Sequence, residues 1–177
     1  MFTFQNCDGV TVDGFDVDGP AQDTTSTAVK GIEFVRLMSG CRNVWMPQNR
    51  IKGCIAGLIM SRGSAGPSTI HNVHVGQLSA TNCWYGINGQ YECDGLLVDQ
   101  LFTDGCHRSL FIYGANNVRA NVTSRNPKAD DVAISAADGC PISDVHVFYR
   151  NVDSAESGTG QSKVLISSDH TGASVTN

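Results

Sequence analysis

The chain has 177 residues, a length that suits one domain with a buried core. Acidic residues outnumber basic ones by 17 to 12, and the resulting net charge of −5 argues against a nucleic-acid partner. Only 16% of the residues are charged and 19 are glycine, which is typical of an all-β protein with many tight turns.

No segment predicts a membrane partner or a signal peptide. The longest apolar run, residues 55–60, is too short to cross a bilayer. The first 18 residues carry four aspartates, whereas a signal peptide needs a basic start and an apolar middle. The sequence therefore predicts neither a transmembrane segment nor a cleaved leader.

A strand motif recurs along the chain at intervals of 22 to 34 residues. Each copy begins with an apolar residue directly after Asn, Gly, Asp or Ser, which are residue types that accept left-handed or turn conformations. The pattern then alternates with period two, as a β-strand with one buried face requires. The copies of this first series begin at Val10, Val44, Val73, Leu96, Val118, Val145 and Val175.

A second series of strands follows within the repeats. Its members are residues 32–34, 58–60, 87–89, 110–112, 132–134 and 164–166. No repeat contains a convincing amphipathic helix, which argues against leucine-rich and ankyrin-type arrays. Short parallel strands joined by Asn and Gly corners stack about 4.8 Å apart. The sequence therefore predicts an all-β fold, a right-handed parallel β-helix of about six turns of the coil, here called rungs.

We expect a single β-helix domain over residues 1–177. Residues 1–4 lead straight into a rung with no amphipathic helix to cover the end of the coil, and residues 172–177 begin a further rung and then stop. An uncapped solenoid exposes its core at each end. The sequence therefore favours a piece of a longer protein, or a chain that other subunits cap.

Seven cysteines leave at least one thiol unpaired, and none has zinc-site spacing. Cys54, Cys83 and Cys106 occupy the same place in successive repeats, so we expect them to stack as an internal ladder. Stacked Cβ atoms about 4.8 Å apart exceed the roughly 3.5–4.5 Å of a disulfide. We expect reduced thiols that act as small buried apolar residues, and neither a metal site nor a cofactor.

The repeat resembles the rungs of the pectin-lyase-like superfamily of single-stranded right-handed parallel β-helices. The segments NCDGVTV at 6–12 and GCRNV at 40–44 carry this resemblance, which extends over essentially the whole chain. The superfamily includes polygalacturonases, pectate lyases and the trimeric tailspike depolymerases of bacteriophages. The resemblance implies a polysaccharide partner, allows for a homotrimer, and implies a location outside the cell or on the virion surface.

Outward residues at equivalent positions become neighbours in such a coil, and two columns follow from the register. Rings and fixed donors in the first column suit a sugar polymer, with Trp45, His74, Arg119 and His146 as substrate-binding candidates. The alternative is a half-buried face that insertions or a partner subunit cover. The first column consists of Thr11, Trp45, His74, Leu97, Arg119 and His146.

The second column is apolar at several positions where water is expected. This pattern predicts that either a loop or an oligomer contact covers it. The second column consists of Glu33, Ile59, Asn88, Phe111, Ala133 and Leu165.

The segment DDVAIS at 130–135 resembles the Asp-Asp-x-x-Ala-Ile segment of polygalacturonases, although the spacing from Asp to Ala is one residue shorter. In such enzymes one carboxylic acid protonates the leaving oxygen while another carboxylate activates water. The resemblance makes Asp130 and Asp131 the catalytic candidates of a glycosidase. The Asn-Thr-Asp and Gly-His-Gly motifs that accompany the segment in that family are missing here.

The register gives the same two aspartates a structural interpretation. Asp130 aligns with Arg108, and Asp131 aligns with Ser109 and Lys163. Cross-rung ion pairs Arg108–Asp130 and Asp131–Lys163 are therefore expected, each contributing about 0–1 kcal/mol when exposed. The favoured function is binding and cleavage of a polysaccharide, by hydrolysis in preference to a lyase reaction, and the alternative is a non-catalytic structural or adhesin segment.

Overall fold

The structure, a computed structural model, describes residues 1–20, 31–61, 69–135, 142–152, 164–166 and 173–176. This part of the chain contains twelve β-strands and no helix. The strands are β1 (Phe2–Phe4), β2 (Asp16–Asp18), β3 (Glu33–Leu37), β4 (Arg42–Lys52), β5 (Ala56–Met60), β6 (Ile70–Thr81), β7 (Tyr85–Asp104), β8 (Arg108–Arg125), β9 (Val132–Ser135), β10 (Ser143–Asn151), β11 (Val164–Ile166) and β12 (Ala173–Thr176).

All twelve strands belong to one curled sheet, and every pairing between them is parallel. The long strand β7 shows how the sheet is built. Its first part pairs with β5 and its later part with β6, while β8 runs along its other edge over both parts. The all-β fold and the parallel strand pairing predicted from the sequence are confirmed.

The predicted first series is in register from the second copy to the sixth. Val44 pairs with Val73, Val73 with Leu96, and the pairing continues through Val118 to Val145. The seventh copy begins two residues earlier than the sequence predicts. Val145 pairs with Ala173, and Val175 pairs with Val147. Because a two-residue slip keeps the same side chains facing inward, the period-two pattern alone does not detect it.

The second series has one register error, at its first member. Val35 rather than Ile32 pairs with Leu58, so Arg36 rather than Glu33 is the neighbour of Ile59 in the second column. The cause is a run of apolar residues: Phe34 and Val35 are both buried, so the alternating pattern has two starting points here.

At two corners of the repeat, most of the described residues take the left-handed conformation that the Asn and Gly residues predicted. At the first corner, φ is 55° at Asn43, 54° at Asn72 and 54° at Asn117. Side-chain amides stack there, since Asn72 Nδ2 donates to Asn43 Oδ1 at 3.2 Å. The second corner has φ values of 49° at Asn82 and 64° at Gly105. A backbone turn and a side-chain hydrogen bond thus repeat together along the coil.

The interior is filled by the inward residues of both series together with the cysteine ladder. Cys54, Cys83 and Cys106 are buried, and all six cysteines in the described residues carry free thiols. Hydrogen bonding to Cys106 and burial raise the pKa of Cys83 to about 12, and hydrogen bonding to Cys83 raises the pKa of Cys54. The predicted ladder of buried thiols without disulfide bonds is confirmed for these three positions. Cys140 lies outside the described residues.

We predict that the corner conformation and the corner hydrogen bond contribute separately to stability. Asn117 has a φ of 54°, and its Nδ2 donates to Asp94 Oδ1 at 2.5 Å. Asn117→Gly removes the hydrogen bond but keeps the conformation, so it should lower the free energy of unfolding by about 1 kcal/mol. Asn117→Ala should cost about 1 kcal/mol more, because Cβ strains a left-handed residue. Equal losses in urea unfolding would contradict this account.

Candidate functional site

The first column is present with the register that the sequence predicted. Thr11 bridges Trp45, and Trp45 pairs with His74. His74 in turn pairs with Leu97, and the column continues through Arg119 to His146. Trp45 and His74 are partly buried, while the other four members are exposed. The four substrate-binding candidates therefore lie along one accessible line on the sheet.

The ring of Trp45 is held against its neighbours at one end of the column. Its centroid lies 4.1 Å from that of His74, with an angle of 49° between the two planes. A Cβ atom added to Gly76 would lie 2.5 Å from the Pro47 carbonyl oxygen and 3.1 Å from Cη2 of Trp45. The absence of a side chain at Gly76 thus leaves the space in which the indole lies.

His74 is oriented by a carboxylate that the sequence analysis did not assign to it. Its Nε2 lies 2.7 Å from Asp99 Oδ2, and the two side chains are 38% and 53% exposed. Because an ionised carboxylate only accepts hydrogen bonds, Nε2 carries the proton in this contact. Asn121 Nδ2 donates to the Asp99 carbonyl oxygen at 3.0 Å, which fixes the main chain beside the pair.

A second carboxylate, Asp144, contacts both Arg119 and His146 at the other end of the column. Nη2 of Arg119 lies 3.0 Å from both carboxylate oxygens of Asp144, and Nε2 of His146 lies 3.0 Å from Oδ1. Arg119 Nη1 donates to the main-chain oxygens of Asp144 at 2.9 Å and Val118 at 3.1 Å. Hydrogen bonding from Arg119, with a smaller contribution from His146, lowers the pKa of the Asp144 carboxyl.

A shallow groove of about 210 Å³ lies beside this end of the column. Leu97, Arg119 and His146 form one side of it, and Asn121 and Phe148 form the other. Leu97 is 42% exposed and Phe148 is 49% exposed, so apolar surface lies next to polar hydrogen-bonding groups. The groove can therefore contact both the apolar groups and the hydrogen-bonding groups of a ligand.

The catalytic candidates Asp130 and Asp131 lie elsewhere, just before β9 in the second strand series. Asp130 Oδ2 lies 4.0 Å from Arg108 Nη2, so the expected cross-rung ion pair is present. Asp131 is completely buried, and its Oδ1 accepts hydrogen bonds from the backbone N–H of Ser109 at 3.0 Å and from the Ser109 hydroxyl. Lys163, the other expected partner of Asp131, lies outside the described residues.

The surroundings of the two aspartates therefore differ. The side chain of Asp130 is 24% exposed, whereas Asp131 faces the interior beside Ser109, whose hydroxyl also contacts Thr103 and Ser124. Asp131 Oδ2 has no hydrogen-bond partner among the residues that the structure describes. The catalytic role of this pair remains a prediction, and only Asp130 reaches the surface.

Most of the apolar surface of the second column is covered within the single chain. Ile59 is 6% exposed and Ala133 is 2% exposed, and the neighbouring Asn88 is 3% exposed. These positions need no partner subunit to remove them from water. Only Leu165, at 44%, is substantially exposed.

Sequence reasoning missed the partners that complete the first column. Asp99, Asn121 and Phe148 each lie two residues beyond a column member in the same strand, and so face the same side. Asp144 occupies a left-handed corner, with φ of 52°, where most repeats have Asn or Gly. In the sequence, Asp144 could be recognised only as an acidic residue at a corner position.

Searches against protein-family models, curated proteins and solved structures found no match, so function has to be inferred from the residues of this chain. The described residues contain no helix long and apolar enough to cross a membrane. Within the same part of the chain, no group of three or more His, Cys, Asp or Glu side chains is arranged to hold a metal ion.

We predict that Arg119 controls the ionisation of Asp144. In Arg119→Ala, the pKa of Asp144 should rise toward its ordinary value, as measured by the pH dependence of carboxyl carbon shifts in NMR spectra. The folded-state pKa is lowered, so the pair stabilises the fold above the unfolded-state pKa and loses this effect as pH falls through the folded-state value. Arg50→Ala, which removes the partner of Asp16, is the matched control and should leave Asp144 unchanged. An unchanged Asp144 in Arg119→Ala would contradict the assignment.

Proposed function

We propose that this chain is a right-handed parallel β-helix of about six rungs, of the pectin-lyase-like kind, and that it binds a polysaccharide along the first column. The observation that carries the proposal is the continuous line of partly or fully exposed side chains from Trp45 to His146, with the groove at its end. Repeated strands present their outward side chains about 4.8 Å apart, so the five members from Trp45 onward span about 19 Å. An extended polymer therefore meets several of them at once.

The chemistry of the column suits sugars in two ways. Trp45, Leu97 and Phe148 offer apolar surface against which C–H faces pack. The carboxylates of Asp99 and Asp144 and their imidazole and guanidinium partners offer acceptors and donors in fixed positions. Because these groups are already held by each other, binding a sugar costs little additional side-chain entropy.

The location and the oligomeric state follow from the same resemblance. We place the chain outside the cell or on a virion surface, where polysaccharides of this class are met, and allow for a homotrimer. The exposed Leu165 and Ile166 are the apolar residues of the second strand series that remain for such a contact. A non-catalytic structural or adhesin segment with the same coil is the alternative function.

Cleavage of the bound polymer by Asp130 and Asp131 is the second candidate activity. One observation favours it: the Asp131 carboxylate has one oxygen without a partner in the described residues, next to a partly exposed acid. The burial of Asp131 and the pairing of Asp130 with Arg108 favour a structural role instead. A hydrolytic pair must flank the scissile bond, which requires both carboxyl groups to reach the substrate.

Binding is tested by affinity electrophoresis through gels containing bacterial or plant polysaccharides. A polymer that retards the wild type should retard Trp45→Ala less, with affinity about 3- to 10-fold weaker, because the indole loses its contact with the sugar. Phe102→Ala is the matched control, since Phe102 is 38% exposed but lies outside the column. Equal retardation of the two variants, or no retardation of the wild type by any polymer, would contradict the proposal.

Cleavage is tested on polymers that bind, by following both new reducing ends and the absorbance of unsaturated sugars. If the pair is catalytic, Asp130→Asn and Asp131→Asn should each lower the rate by about 100-fold or more. Asp18→Asn is the matched control, because Asp18 lies 4.0 Å from Lys52 in a cross-strand ion pair of the same length as that of Asp130 with Arg108. Turnover that survives in both variants would show that the active site does not include Asp130 and Asp131. Binding without turnover by the wild type would favour the non-catalytic function.

A further inference from the structure

We infer that the polysaccharide bound along the first column is uncharged, and that the column discriminates against polymers of acidic sugars. This inference rests on the proposed function and specifies its substrate class. It is carried by one feature of the described residues: each cationic or titratable donor of the column, namely His74, Arg119 and His146, is already bonded to a carboxylate of the same surface.

Arg119 is the strongest candidate for binding a sugar carboxylate, because a guanidinium binds carboxylates with two parallel hydrogen bonds. Its Nη2 is engaged with both oxygens of Asp144, and its Nη1 donates to the carbonyls of Asp144 and Val118. Both terminal nitrogens of the guanidinium are therefore already engaged by the protein, and Nη2 is engaged by a carboxylate.

The two histidines are occupied in the same manner. His74 Nε2 lies 2.7 Å from Asp99, and His146 Nε2 lies 3.0 Å from Asp144. With neutral imidazoles, the column and its partners carry one guanidinium charge against two carboxylate charges. A polyanion would bring further carboxylates close to Asp99 and Asp144, and the net charge of the whole chain is also negative, at −5.

Hydroxyl groups suit the same surface. An ionised carboxylate has about four acceptor positions, and neighbouring O–H groups of a neutral sugar can donate to those that His74 and Arg119 leave open. Asp99 is 53% exposed and Asp144 is 47% exposed, so both can be reached from solvent. A sugar carboxylate has no proton to donate to them. The exposed Leu97 and Phe148 supply the apolar contact that a neutral ring requires.

The test compares neutral polysaccharides, such as dextran, galactan, mannan and arabinan, with acidic ones, such as polygalacturonate, alginate and hyaluronate, by affinity electrophoresis of the full chain. We expect binding to neutral polymers, at least 10-fold tighter than to any acidic polymer and nearly constant between about 50 and 500 mM salt, since little charge is neutralised. Binding led by acidic polymers would overturn this inference and leave the proposed function standing. Absence of binding to both classes would overturn the proposed function and this inference with it.

The variant Asp99→Asn should change the affinity in opposite directions for neutral and acidic polymers. Asp99→Asn removes one negative charge and replaces one acceptor oxygen by an NH2 donor, so affinity for a neutral polymer should fall about 3- to 10-fold. If the natural ligand were acidic, the same change would raise affinity, because it removes repulsion. Asp18→Asn, an exposed aspartate outside the column, is the matched control and should change neither. Circular dichroism of both variants checks that the β-fold is kept.

Discussion

Parallel hydrogen bonding between successive strands determines nearly every other feature of this protein, because it places each side chain beside its equivalent in the next repeat. The pairing of Val44 with Val73, and of Val73 with Leu96, sets the positions of all residues between the corners. On the inside, this register stacks three cysteines into a ladder of free thiols. On the outside, it turns residues more than twenty positions apart in sequence into one continuous column.

The corners make this register hold. Two strands stay in register only if the chain turns at the same position in both repeats. The stacked left-handed residues determine that position. Asn suits the corner better than most residues, since it accepts a positive φ and its amide also bonds to the neighbouring corner. Asp144 keeps the conformation, but it carries a charge, and this charge organises Arg119 and His146. A structural position has thereby become part of the candidate binding surface.

The sequence predicted the all-β architecture, the parallel pairing and the first column, because all three depend on local patterns, an Asn or Gly followed by alternating residues. It failed where the pattern was ambiguous: Phe34 and Val35 are both buried, and the slip at the last copy is of two residues, which a period-two pattern does not distinguish. The contacts within the column were not predictable in the same way. His74 reaches Asp99 and Arg119 reaches Asp144 along diagonals between strands, and side-chain conformation rather than register decides which diagonal forms.

Alternation along an extended chain also bears on the two catalytic candidates. Adjacent residues of a strand face opposite sides, and Asp131 is buried while Asp130 is partly exposed. Two carboxylates that act on one sugar are obtained more simply in this architecture from the same outward position of successive repeats. Asp130 has no such neighbour in the preceding strands, since Arg108 and then Tyr85 occupy that position. The first column, in contrast, has its carboxylates, rings and donors all on one face, and this is why we propose sugar binding there.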